Sequence, residues 1–409
     1  MAQKVLYTNI KSLYGITYNK IKLKKGAELS NFESLDNAWL MVSELGTIEN
    51  FGNMDTCPEF SGDSINCKDK FILPCFVDSH THLIHAGSRE HEFVDRIIGL
   101  SYEQIAIRGG GILNSSAKLN LTTEDSLFHS AYERLQQAIS NGTGAIEIKS
   151  GYGLSVIDEL KMLRVANRLK AISPIPIKIT FLGAHAMPPV FKNNRKGYID
   201  LIIEEMLPVI RAEKLADYID VFCETNYFTI SEMEQILEAG AKYGLKPKVH
   251  VNQFNAIGAV SAAIRHQAVS VDHLEVMSDE DFSALSTSET IPVALPACSF
   301  FIKIPYAPAR KLINLGLPLT LASDYNPGSS PCLSMPFIIS LACIQMSLLP
   351  EEAFNAATLN GAAAIEMSDD LGSIEIGKKA NFIVTKPVSS LNYLPYSFAE
   401  NYIEKVVIS

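Results

Sequence analysis

The apolar positions of this chain fall into two regimes. Between about residues 70 and 325, short apolar runs recur at 71–77, 145–149, 178–182, 218–223, 246–251, 268–272, 291–295 and 317–322. Runs this short and without alternation fit strands buried on both faces, the habit of parallel sheets. Helix-start signals stand between them. Ser155 with Asp158 precedes Leu160 and Leu163, and Ser231 with Glu234 precedes Ile236 and Leu237. Eight such strands alternating with helices are the count of a (β/α)8 TIM-type barrel, an α/β fold. Outside this region, β-like pieces at 5–7, 38–42 and 47–51 are matched near the other end by 372–377, 380–384 and 405–408. Both termini are therefore expected to build one small β-sandwich-like domain, 1–70 with 368–409, around a barrel spanning 71–367. The long connection after the first strand carries Gly109, Gly110 and Gly111 and is expected to form a mobile loop over the site.

Composition narrows the partners. Forty-five acidic against 35 basic residues give a net charge of −10, which disfavours nucleic acid and anionic membrane surfaces and leaves a small molecule as the expected partner. Seven cysteines, odd in number and without Cys-x-x-Cys spacing, fit reduced thiols in the cytoplasm. The apolar stretch 335–349 holds Ser340, Gln345 and Ser347 and is too short to span a bilayer, so a buried helix is expected there.

The candidate chemistry sits where the strands end. In a barrel of this type the functional groups project from the carboxyl ends of the strands. The first strand runs into His80 and His82, which share one face some ~6–7 Å apart along the backbone. His185 follows the third strand, His250 and Gln253 the fifth, His273 the sixth and Asp324 the eighth. Three imidazoles and a carboxylate leave a divalent ion about one positive charge and an open position, the mark of a catalytic rather than a structural site. His273 is either a further nitrogen ligand or a proton-shuttling group behind the ligands; the second is preferred. Asp324 is both a ligand and the candidate general base. His85, His91, His129 and His266 fall in loops or helices, where solvent is the default, although His85 is read as structural.

These strand ends resemble the amidohydrolase superfamily. Asp78 to Leu83 with Arg89, the run Glu147-Ile148-Lys149-Ser150-Gly151-Tyr152-Gly153, Gly183-Ala184-His185, and Asp324 to Pro331 are similar to the imidazolonepropionase family of histidine degradation. The resemblance spans about 70–390. It implies hydrolysis of 4-imidazolone-5-propanoate to N-formimidoyl-L-glutamate by a homodimer carrying one divalent metal ion, zinc or iron. It assigns the ion to His80, His82, His250 and Asp324, and substrate contacts to Arg89, Tyr152, His185, Gln253, Asn326, Gly328 and Ser329. Arg89 suits that role physically, because a guanidinium fork matches a propanoate carboxylate.

Two positions depart from the pattern. Asn252 stands where the family carries an acid, and Gln253 where deaminase relatives place a carboxylate; neither amide is a base, so proton transfer falls to Asp324 and His273. The fourth strand ends in Cys223 and Glu224 with no lysine to carry a metal-bridging carbamate. One ion is therefore expected, with Glu224 kept as a weak or indirect ligand. The alternatives are another cyclic amidohydrolase or heterocycle deaminase on the same scaffold, and, more remotely, a metal-free structural or binding barrel.

Overall fold

The structure, a computed structural model, describes residues 4–100, 104–105 and 108–409. Strands β1 (Val5–Tyr14), β2 (Ser34–Val42) and β3 (Ile48–Asn53) form an antiparallel meander, while β4 (Asp63–Asn66) and β5 (Phe71–Pro74) run parallel to β1. Eight parallel strands follow: β6 (Phe76–Asp78), β7 (Thr143–Lys149), β8 (Ile177–Ala184), β9 (Tyr218–Cys223), β10 (Lys246–Val251), β11 (Ser270–His273), β12 (Ile291–Ala294) and β13 (Thr320–Leu321). Each pairs with the next in chain order, with at least one helix in every connection. The terminal strands β14 (Phe382–Thr385) and β15 (Ile403–Val407) then return to β5, so the two ends of the chain share one seven-stranded mixed sheet. Its own core gathers Ile10, Leu13, Leu40, Ile72 and Phe382.

Just past the strand ends, β6 and β13 meet and close the ring. The Asp324 N–H donates to the His80 carbonyl at 3.0 Å and the His82 N–H to the Tyr325 carbonyl at 2.8 Å. Asp78 reinforces the seam by accepting from the Ser323 N–H at 3.0 Å and its hydroxyl at 2.6 Å. Burial still raises the Asp78 carboxyl to about 6, with the Ser323 bonds pulling the other way. The closing contacts thus hold the site residues themselves.

Several local expectations change. The run 71–77 is two strands: Phe71–Pro74 lies in the terminal sheet and Phe76–Asp78 in the barrel. Pro74 has no N–H to offer a ladder; beyond it the Cys75 N–H goes to Asn381 and the Phe76 N–H to Gly142, so the chain changes sheets within two residues. The segment 372–377 is a turn between positive-φ glycines, with Ile374 donating to Gly15, and not a strand. The helix expected to start near Ser231 is capped by Thr229, whose side chain pairs reciprocally with Glu232. The long connection after β6 is largely helical, with helices at Glu90–Ile97, Ile112–Asn120 and Glu124–Ser140. Gly111 caps the second of these, and both Gly110 and Gly111 are buried. The apolar stretch near 340 is the helix Met335–Met346, with Met335, Ile338, Ile339 and Leu341 in the core. No helix among the described residues is long and apolar enough to cross a membrane.

Candidate metal centre and active site

His80, His82, His250, His273 and Asp324 converge at the mouth of the barrel and are all buried. Two of the imidazoles are aimed from behind. His80 Nδ1 lies 2.6 Å from Asp272 Oδ2, and His250 Nδ1 lies 2.7 Å from Asp220 Oδ2. A carboxylate at Nδ1 keeps the proton there and turns the Nε2 lone pair inward, the arrangement that orients metal-binding histidines. His80 Nε2 and His82 Nε2 each stand 3.5 Å from Asp324 Oδ1, and His250 Nε2 stands 3.3 Å from His82 Nε2. His80 Nε2 is buried with no hydrogen-bond partner. Lone pairs facing one another beside a carboxylate are unfavourable alone and suit a shared divalent cation, so these donors fit the ion that the sequence implies. Burial, before any neighbouring charge, holds the pKa of His80, His82 and His250 well below the usual imidazole range, in the neutral form a ligand requires.

His273 behaves differently. Burial pulls its pKa down, yet Glu275, 3.3 Å from Nδ1, and Asp324 carry it above the ordinary value. Burial pushes Asp324 up to about 7 against the opposing pull of His273. Each group thus shapes the other's affinity for a proton. Backbone strain concentrates here: Asn252, His273, Leu274 and Asp324, just at or after strand ends, all have φ between +49° and +89°.

The pocket above is lined by His82, Arg89, Tyr152, His185, His250, Gln253, His273, Asp324, Asn326 and Ser329, joined by Ile112 and Phe222, which the sequence reading did not single out. His185 stacks on His82 with ring centroids 5.2 Å apart and faces the Gly151 carbonyl through Nδ1 at 3.0 Å. Burial lowers its pKa to about 4, so it is a neutral group. Arg89 Nε donates to Glu92 Oε2 at 2.8 Å, and Glu92 Oε1 in turn accepts from the Gly111 N–H. Gly328 lies against the guanidinium: a Cβ there would stand 2.0 Å from Arg89 Nη1. Asn326 spends Oδ1 on the Gly328 and Ser329 N–H groups and Nδ2 on the Asp324 carbonyl and the Ser329 hydroxyl, so it shapes its own loop.

Other expectations shift as well. Glu224 commits both carboxylate oxygens to the backbone and Asn255: Oε1 accepts from the Thr225 N–H and Asn255 Nδ2, and Oε2 from the Phe254 and Asn255 N–H groups, which ties down the turn after Gln253. Asn252 donates to Asp281 at 2.8 Å, and Gln253 Nε2 faces Cys298 Sγ at 3.4 Å. His85, read as structural from the sequence, is buried, with Nδ1 on the Gly87 carbonyl at 2.8 Å.

Below the histidines, Lys149 is wholly buried, 2.9 Å from Glu147 Oε1 and 3.0 Å from Asp220 Oδ2. Burial would strip its proton, but Asp220, Glu147 and Asp272 outweigh that and raise its pKa above that of an ordinary lysine. The sequence assigns no role to Asp220, Asp272 or Lys149. Their signal was a charge inside an apolar run, which a buried strand tolerates only when paired.

A model of the amidohydrolase family matches residues 71–409, the whole barrel and the returning strands. The chain therefore belongs to the amidohydrolase family. Among curated relatives, the imidazolonepropionase of Flavobacterium psychrophilum is 54% identical over 99% of this chain and 98% of its own. That of Thermoanaerobacter pseudethanolicus is 39% identical over 100% and 97%. Within the family, the chain stands with the imidazolonepropionases. Among solved structures, guanine deaminase from E. coli shares the fold at a TM-score of 0.75 and 13% identity, covering 100% of this chain and 98% of that one. Guanine deaminase from C. acetobutylicum does so at 0.73 and 16%, covering 99% of each.

Proposed function

We propose that this chain hydrolyses 4-imidazolone-5-propanoate to N-formimidoyl-L-glutamate, opening a cyclic amide in histidine degradation. The observation that carries the reading is a carboxylate-matching arginine, held by Glu92 and seated on Gly328, in the same pocket as the His80, His82, His250 and Asp324 donor set. A zinc or iron ion held by those four residues would supply a Lewis acid that polarises the ring carbonyl and acidifies water. Asp324 then takes the proton of the attacking water on a carboxylate oxygen. His273, with Nδ1 toward Glu275, keeps its other ring nitrogen for proton relay and for the charge developing on the carbonyl oxygen. The ring carbon–nitrogen bond breaks as nitrogen receives the proton that left the water, which balances the reaction. Arg89 binds the propanoate, Tyr152 and His185 wall the flat ring, and Gln253 and Ser329 face its polar edge. Gly328 serves by leaving room for the arginine.

The proposed setting is the cytoplasm, supported by seven free thiols, with a small-molecule substrate and neither nucleic acid nor membrane as partner; the homodimer follows from the family resemblance. The test follows the decay of the imidazolone chromophore with and without chelator, in wild type and in Arg89→Met. Metal-dependent decay, with at least a tenfold rise in KM in the variant, is expected. A variant with unchanged KM would point instead to an uncarboxylated heterocycle.

A further inference from the structure

A closed layer of charge lies under the metal centre: Glu147 and Lys149 from β7, Asp220 from β9, Lys248 from β10 and Asp272 from β11, every one of them buried. Asp220 and Asp272 come from different strands, yet each uses Oδ2 twice. Asp220 Oδ2 receives His250 Nδ1 and stands 3.0 Å from Lys149 Nζ; Asp272 Oδ2 receives His80 Nδ1 and stands 3.7 Å from the same ammonium. A single cation therefore sits between the two anions that aim two of the three histidine ligands. We propose that Lys149 is a positioning residue of the metal centre, clamping Asp220 and Asp272 in the register that turns His80 Nε2 and His250 Nε2 onto one ion.

The surroundings fit this division of labour. Glu147 seats the lysine: Oε1 accepts from Lys149 at 2.9 Å and also from the Thr180 hydroxyl. Lys248, equally buried, is occupied otherwise, donating to the Ser270 hydroxyl at 2.8 Å and the Ala364 carbonyl at 3.0 Å, with Glu147 Oε2 at 3.8 Å. Removing the Lys149 charge would leave two buried carboxylates without their shared counter-ion, and each relaxes by swinging its imidazole. Asp220 and Asp272 stand directly behind the ligands, where substitution commonly changes metal affinity by about 10–100-fold, and Lys149 acts on both of them at once. The proposal rests on the metal reading above.

The experiment loads the purified full chain with Co²⁺ and reads the visible ligand-field spectrum, which mere stability does not move, together with the rate of cobalt loss to excess chelator. Lys149→Met is expected to shift the absorption bands and to release cobalt at least tenfold faster than wild type. Glu147→Gln, which keeps the lysine but loosens its seat, should move both in the same direction by less; Lys248→Met should keep the wild-type spectrum and rate. If Lys149→Met does not fold, Glu147→Gln decides. A wild-type spectrum and rate in whichever of these two variants decides, or a Lys248→Met variant as leaky as they are, overturns the proposal. A wild-type chain that takes up less than one cobalt would remove the metal reading itself, a failure distinct from a loaded wild type with indifferent variants.

Discussion

Arg89 and Gly328 share a contact that leaves no space for a methyl group, so the identity of residue 328 sets where the guanidinium points. Gly328→Ala must push the fork off its seat, forfeiting a charge-assisted contact of about 1.5–3 kcal/mol with the substrate carboxylate. Steady-state kinetics should show KM raised by roughly tenfold to a hundredfold, with kcat far less affected; an unchanged KM would refute the assignment of Arg89. His85 carries a separate consequence. Burial, reinforced by Arg134, lowers its pKa to about 3, against about 6.5 when unfolded. The native state therefore refuses a proton that the unfolded chain accepts. Its contribution is level above pH 6.5 and turns destabilising as pH falls from there toward 3. In a His85→Gln variant that penalty is absent, so the stability gap between wild type and variant should shift against wild type by up to about 1.4 kcal/mol per pH unit in this window. Parallel denaturation curves across it would show that His85 is not a buried neutral group.

At the scale of elements, the segment after β7 shows how an irregular loop is made rigid. Glu159, on the helix Val156–Ile172, accepts from the Gly153 and Leu154 N–H groups through Oε1 and from Gly151 through Oε2, bracketing Tyr152. Glycine at 153 is obligatory, since a Cβ would lie 2.3 Å from the Glu159 nitrogen. Glu159→Gln turns an amide NH2 toward backbone donors, and chemical denaturation should report a loss of about 1–3 kcal/mol together with reduced turnover. No change in stability would mean that the loop holds without the carboxylate. The eight barrel strands were legible because a strand buried on both faces has to be apolar, and His80, His82, His250 and Asp324 were legible because polar groups end those runs. The handover at Pro74 was not, since apolar residues continue across both sheets. Nor were Asp220 and Asp272, whose meaning lies in a partner one or more strands away, or Glu159, masked by the adjacent Ser155 cap.

For the whole molecule, the candidate ligands come from β6, β10 and β13, so a bound ion ties the first, fifth and eighth strands of the barrel together. Ligand bound only by the native state adds about 2.7 kcal/mol at a hundredfold excess over Kd. Stripping metal should therefore lower the melting temperature by several degrees and readdition restore it; identical scans with and without chelator would count against a site at this junction. The same geography governs how the protein is made. Strand β5 waits for β14, more than three hundred residues later, and β6 waits for the segment around Ser323. While the ribosome is still at work, the apolar stretch near residue 75 has β1 and then β7 on one flank and nothing on the other, and an interrupted message leaves a sticky, half-built product for chaperones or proteases to deal with.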